Sequence, residues 1–360
     1  MCEKKWEAIT TYRQEEIYMT RKERVLTALS HRTTDRVPKG ETWIDGNLAN
    51  KLMNTSYPTD FQHFERDKAI REFLNIDLVN AGDWPSSLIG EDKNGYPLYR
   101  SIYGYEFIQG VSKHITKPPL EHIEDAKNYV KPDIHNVDPS LVKRFATETD
   151  FFVFAQIGGP VSMLDEMFDM EDYMVYCMTN PDEIQIITEK VMEYEIEKAK
   201  LFIDNGADAI FFADDIAFNT GTLLPPYVME NLVFPFYNQT VKEIKAYKNV
   251  PVVAHSDGDL NSVLHKYVEA GFDGLQSLQP SAGMDIKKIK EEYGDDLCLW
   301  GNLDLDYLMS FGTPDEVRKV VRETIDIASH NGGFILSTCN TMIDSIPPEN
   351  VLAMMEESEK

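Results

Sequence analysis

The sequence predicts an α/β protein built as a (β/α)8 barrel, of the TIM type, with an N-terminal helical and irregular elaboration. Three observations carry that prediction. From Phe151 onward, short apolar runs alternate with longer amphipathic segments, the rhythm of parallel βα units. The runs end again and again in polar residues, as barrel strands do at the face that carries chemistry. No GxGxxG or P-loop sequence follows a strand, which removes the commonest doubly wound alternatives.

Taken in order, residues 1–18 read as a polar, partly helical extension, and residues 19–360 as one barrel domain. Met19-Thr-Arg-Lys-Glu-Arg-Val-Leu-Thr-Ala-Leu29 places apolar residues at helical spacing behind a Thr cap. Arg36-Val-Pro38 ends that segment and leads toward a first strand. Residues 46–135 are rich in aromatic residues and prolines, and read as an irregular lid over the site with short helices. Phe151 to Ile157 reads as a buried strand closed by Gly158-Gly-Pro160. A long amphipathic helix from Asp182 to Asn205 is stopped by Gly206. Strand Asp208–Ala213 follows, and then a helical stretch, Leu223–Tyr247, interrupted by Pro225, Pro226 and Pro235. Strand Val250–Ala254 leads to helix Asn261–Ala270, strand Asp273–Leu278 and helix Ile286–Tyr293. Strand 297–300, helix Pro314–Asn331 and strand 333–337 complete the series.

Bulk composition narrows the partners. Sixty-one acidic residues against 35 basic ones give a net charge of −26, which argues against nucleic acid or an anionic membrane. The four cysteines, Cys2, Cys177, Cys298 and Cys339, show no CxxC spacing, so neither a disulfide framework nor a zinc ribbon is indicated. No apolar run reaches membrane-spanning length, and Met1-Cys-Glu-Lys-Lys-Trp6 lacks the apolar stretch of a secretory signal. A soluble cytoplasmic protein is expected, with a homodimer among the assemblies left open.

The chemistry concentrates at the strand ends. The run to Ala254 is followed at once by His255-Ser-Asp257-Gly258; the run to Ala213 by Asp214 and Asp215; the run to Trp300 by Gly301-Asn302; the run to Ser337 by Thr338, Cys339 and Asn340. Gathered at one barrel mouth, a histidine, several carboxylates and a cysteine suggest a metal site. His255 and Asp257 are the expected catalytic groups, with Asp257 a ligand or the hydrogen-bonding partner of the histidine. Gln276 and Asn302, at neighbouring strand ends, are candidate substrate contacts, as are Glu166 and Met167 beyond the Gly158-Gly-Pro160 loop.

In this order the chain resembles the uroporphyrinogen decarboxylase superfamily. The motifs are Met19 to Leu29 with Asp35-Arg-Val-Pro38, His255-Ser-Asp-Gly-Asp-Leu260, Ala270-Gly-Phe-Asp-Gly-Leu-Gln276, Trp300-Gly-Asn-Leu303, Gly312-Thr-Pro-Asp-Glu-Val317 and Pro347-Pro-Glu-Asn350. True porphyrinogen decarboxylases carry an arginine-rich segment after the first of these, whereas this chain reads Lys39-Gly-Glu-Thr-Trp-Ile-Asp45. A polycarboxylate substrate would find no cation cluster there. The resemblance therefore implies the branch of corrinoid-dependent methyltransferases. In that branch zinc is the electrophile, and the methyl group moves between a small methylated compound and the cobalt of a separate corrinoid protein. Thiol-methylating members imply His255 and Cys339 as ligands, although Asp257 stands where they carry cysteine. O-demethylating members imply two acids ahead of the histidine, matched here by Asp215 and Glu230. The expected metal ligands are thus His255, Glu230, Asp215 and Cys339, and the expected reaction is demethylation of an O- or N-methylated substrate, for example a methoxyaromatic. Methylcobamide-to-thiol or methylcobamide-to-tetrahydrofolate transfer, cofactor-free decarboxylation and a non-catalytic ligand-binding barrel are the alternatives.

Overall fold

The computed structural model describes residues 18–109 and 113–360; the N-terminal extension read from the sequence falls outside them, apart from Tyr18. Seven parallel strands form the central sheet in the order β1-β6-β7-β10-β11-β12-β13. They are β1 (Leu78–Ala81), β6 (Phe152–Gly158), β7 (Ala209–Ala213), β10 (Val252–Ser256), β11 (Gly274–Ser277), β12 (Cys298–Leu303) and β13 (Phe334–Thr338). Residues 38–41 supply the eighth stave. Gly40 N donates to Leu336 O and Leu336 N to Pro38 O on one side, while Asp77 N donates to Lys39 O on the other. The sheet thereby closes on itself.

Side-chain alternation divides the strands into an inner and an outer face. Leu78, Phe152, Phe154, Phe211, Val253, Cys298, Trp300 and Ile335 form one inner cluster, plugged by Val25, Ala28 and Leu29 of the helix Arg21–Leu29. Thr20 and Glu23 form a reciprocal capping box on that helix. The Asp35-Arg-Val-Pro38 motif has a structural job here. Arg24 pairs with Asp35 and with buried Asp77, and Arg36 also pairs with Asp77, which ties the plug to the start of β1. The outer faces pack against helices such as Pro314–Ala328, which buries Val317, Val321, Thr324 and Ala328 at helical spacing behind a Thr313/Glu316 capping box.

Two boundaries differ from the sequence reading in an informative way. The stretch 223–247 is two helices, Pro226–Leu232 and Phe234–Tyr247; Pro235 sits in the first turn of the second, where its missing N–H costs nothing. More important, the lid is not irregular. It carries a four-stranded antiparallel sheet of β2 (Ser86–Glu91), β3 (Pro97–Ser101), β4 (Glu106–Gln109) and β5 (Lys113–Lys117). A small hairpin, β8 (Ala217–Phe218) with β9 (Gly221–Thr222), lies just beyond β7. No helix among the described residues is long and apolar enough to cross a membrane.

Candidate metal centre at the barrel mouth

Because Val253 points inward, His255 two residues later does too, and Asp257 follows where the strand has ended. Asp215 leaves the end of the neighbouring β7. The result is a cluster in which one ligand atom each from Asp215, His255 and Asp257 lies within 4.8 Å of the others. Gly258 lets the chain turn away from the site. Its φ is +89°, and a Cβ there would come within 2.6 Å of Ala217 O, so a side chain meets both strain and backbone.

The hydrogen bonds fix which atom of the histidine faces the acids. His255 Nδ1 meets Gln276 Oε1, while Gln276 Nε2 lies 3.4–3.5 Å from the carbonyl oxygens of Cys339 and Thr338. The amide oxygen can only accept, so in the neutral ring Nδ1 carries the proton and Nε2 is the lone-pair atom. Nε2 lies 3.5 Å from Asp215 Oδ1. Phe211 stacks on the imidazole at 5.5 Å between centroids.

Asp257 is held as tightly. Ser277 Oγ donates to its Oδ1 at 2.5 Å, and Asn340 Nδ2 donates to its Oδ2. Ser277 has φ +96°, a conformation that costs a non-glycine residue about 1–3 kcal/mol. The strained backbone aims that hydroxyl at the site. Asp215 is the open member, with its side chain 58% exposed against 15% for His255; its Oδ1 accepts from Asp257 N at 3.2 Å.

Charge is the test of whether a cation suits these residues. Among the described residues, neither Asp215 nor Asp257 forms an ion pair with a lysine or arginine. Burial acts to lower the basicity of His255, but Asp257 and then Asp215 outweigh it and raise its pKa. Burial raises the Asp257 pKa, against the opposing pull of His255. Two carboxylates and one imidazole with no cationic side chain form a donor set that fits a divalent ion such as zinc, with room for a further ligand.

The other expected residues fall into place around this cluster. Asp214 is the structural neighbour of Asp215: buried, it accepts from Ser162 N and Tyr237 Oη, and burial lifts its pKa to about 7. Glu230 stands apart, a correction to the expected ligand set. It lies on the outward face of the helix Pro226–Leu232 and pairs with Lys266 at 2.8 Å. Cys339 is buried and outside the three-residue cluster, and burial pushes its thiol up to about 12, which favours a neutral S–H. Gln276 is fully buried and spends its carbonyl on His255 instead of a substrate. Asn302, nearly buried, donates to Leu278 O at 3.2 Å. Glu166 pairs with Lys113 of the lid, and Met167 is buried. Sequence reasoning missed Ser277 and Asn340 as the holders of Asp257. Asn340 had a signal, as a polar residue two positions past a strand. Ser277 had none.

Comparison with known proteins agrees with this architecture. The uroporphyrinogen decarboxylase (URO-D) family profile matches residues 103–360. Uroporphyrinogen decarboxylase of Chlorobium phaeobacteroides is 25% identical over 241 residues, 66% of this chain and 64% of that protein. The chain thus matches just under two thirds of the length of such relatives. The methylcobamide:CoM methyltransferase MtaA of Methanosarcina barkeri is 23% identical over 206 residues, 57% of each chain. A solved methyltransferase from Methanosarcina mazei superimposes with a TM-score of 0.76 at 20% identity, covering 95% of this chain and 99% of that one, a likeness of fold. With a matched profile spanning six of the eight staves and the cluster at their mouth, the chain belongs to the uroporphyrinogen decarboxylase family.

Proposed function

We propose that the protein is a metal-dependent methyltransferase that moves a methyl group from a small O- or N-methylated compound to the cobalt of a separate corrinoid protein. The observation that carries this reading is the Asp215–His255–Asp257 cluster, whose two carboxylates are unpaired by lysine or arginine among the described residues. Methyl ethers and amines part with a methyl group reluctantly because the leaving atom departs with a charge or an unshared pair. A zinc ion held by Asp215, His255 and Asp257 would supply a Lewis acid for that atom. The chain's own residues do the rest. Gln276 sets the histidine tautomer, and Ser277 and Asn340 set the carboxylate. Cys339 lies outside the three-residue cluster, which favours an oxygen- and nitrogen-rich donor set over a thiolate-rich one.

The test is methyl transfer to cob(I)alamin followed by the cobalt absorbance, with a panel of methoxyaromatics, methylamines and betaines, before and after metal removal. Transfer that disappears with the metal supports the reading. Absence of transfer from every donor by the metal-loaded protein rejects it. Decarboxylation is the second reading, favoured by the names of the relatives in Chlorobium. The structure opposes it at one point: Lys39, the only cation between Pro38 and Asp45, is buried against Glu359, away from the mouth.

A further inference from the structure

The lid lines an open-mouthed cavity of about 600 Å3. Six of its lining side chains are aromatic: Phe61, Trp84, Tyr99, Tyr103, Tyr105 and Phe107. Gln156 of β6 forms part of its wall, and β6 pairs with β7, which leads into Asp215. Lys113 at its edge pairs with Glu166.

Electrostatics decides what such a cavity prefers. Aromatic faces are negative and attract ammonium groups. One face already does so here, with Lys113 Nζ 4.9 Å from the centre of the Tyr105 ring. The charge of Lys113 is matched by Glu166. Asp83 lines the cavity too, accepts from Asp138 N at 2.7 Å, and forms no ion pair among the described residues. One carboxylate therefore stands among rings without a direct ion pair, with Lys198 as its more distant opposing charge, inside a chain of net charge −26. An anionic aromatic ligand would meet this field unfavourably; a monocation would offset it.

We propose that this cavity binds a quaternary methylammonium cation, and that the methyl donor belongs to this class. The proposal rests on the methyl-transfer reading above and narrows it. In the step, the N–CH3 bond breaks with its electron pair passing to nitrogen, which leaves as a neutral tertiary amine. The methyl carbon accepts the electron pair of cobalt(I) on the corrinoid protein. No proton is transferred.

The experiment is calorimetric titration of the full-length protein with choline, with its uncharged carbon isostere 3,3-dimethylbutan-1-ol, and with 4-methoxybenzoate. Choline should bind at least about tenfold more tightly than the isostere, the margin a desolvated cation–aromatic site provides. Trp84→Leu and, separately, Asp83→Asn should each reduce that preference, with thermal melting confirming that the variants fold. Equal binding of choline and the isostere, or tighter binding of 4-methoxybenzoate, overturns the proposal. Methyl transfer from 4-methoxybenzoate without choline binding overturns it while leaving the methyltransferase reading intact. Choline binding without methyl transfer from any donor supports the cavity assignment and overturns that reading.

Discussion

Replacing Gln276 with leucine tests the organisation of the centre without touching a proposed ligand. Gln276 is fully buried and its carbonyl is the partner of His255 Nδ1. Leucine keeps the side chain's bulk and removes the acceptor. The Nδ1–H then loses its bond inside the barrel, at a cost of about 1–3 kcal/mol. The ring can escape by moving the proton to Nε2, but that blocks the atom facing Asp215. Either way the metal-binding form is depleted. A loss of about 10–100-fold in metal affinity is expected, the range found when a hydrogen-bonding partner of a ligating histidine is removed. Divalent-metal titration against a competing chelator measures it, with melting of the metal-free proteins as the control for folding. An affinity within about threefold of wild type in a folded variant would refute the reasoning, because it would mean that Gln276 does not set the tautomer.

Three further outcomes are expected. Glu230→Gln should leave metal affinity unchanged whereas Asp257→Asn should abolish tight binding; equal losses in the same titration would return Glu230 to the centre. Gly258→Ala should lower stability by about 1–3 kcal/mol in thermal or urea unfolding, because the alanine must hold φ +89° against Ala217 O; an unchanged melting point would contradict that. Glu41 accepts from Thr338 N and Oγ1 and is fully buried, and burial raises its pKa to about 7, against the hydrogen bonds of Thr338. The folded state therefore holds this proton more tightly than the unfolded chain, and the stability it confers is lost as pH rises from about 4.5 through about 7. Glu41→Gln should be more stable than wild type at pH 8 by up to about 3 kcal/mol, with the difference vanishing near pH 4.5. A pH-independent difference would show that Glu41 does not titrate in this window.

The barrel was legible because each strand is short, apolar and followed by a break, so residues such as Phe151–Ile157 and Asp208–Ala213 mark themselves. The lid sheet was hidden for a physical reason. Strand β2 is exposed at every position, so it lacks the alternation that reveals a half-buried strand, although Asn94-Gly95 between β2 and β3 is a hairpin signal. At the site, the strand ends singled out His255, Asp257 and Asp215, and the structure brings these three together. Glu230 entered through the family resemblance as a helix residue; helical position alone does not say which face a charge takes, and the structure pairs it with Lys266. Gln276 was read as a substrate contact, and the structure gives its carbonyl to His255. From sequence its strand-end position suggests substrate, whereas the parallel register His255↔Gln276 sets it beside the imidazole.

The most direct test is anomalous diffraction at the zinc edge from crystals of the zinc-loaded protein. The account predicts a single strong peak between the carboxylates of Asp215 and Asp257 and Nε2 of His255, lost in His255→Ala. A peak at Cys339 and Glu230, or none at the barrel mouth, would contradict it.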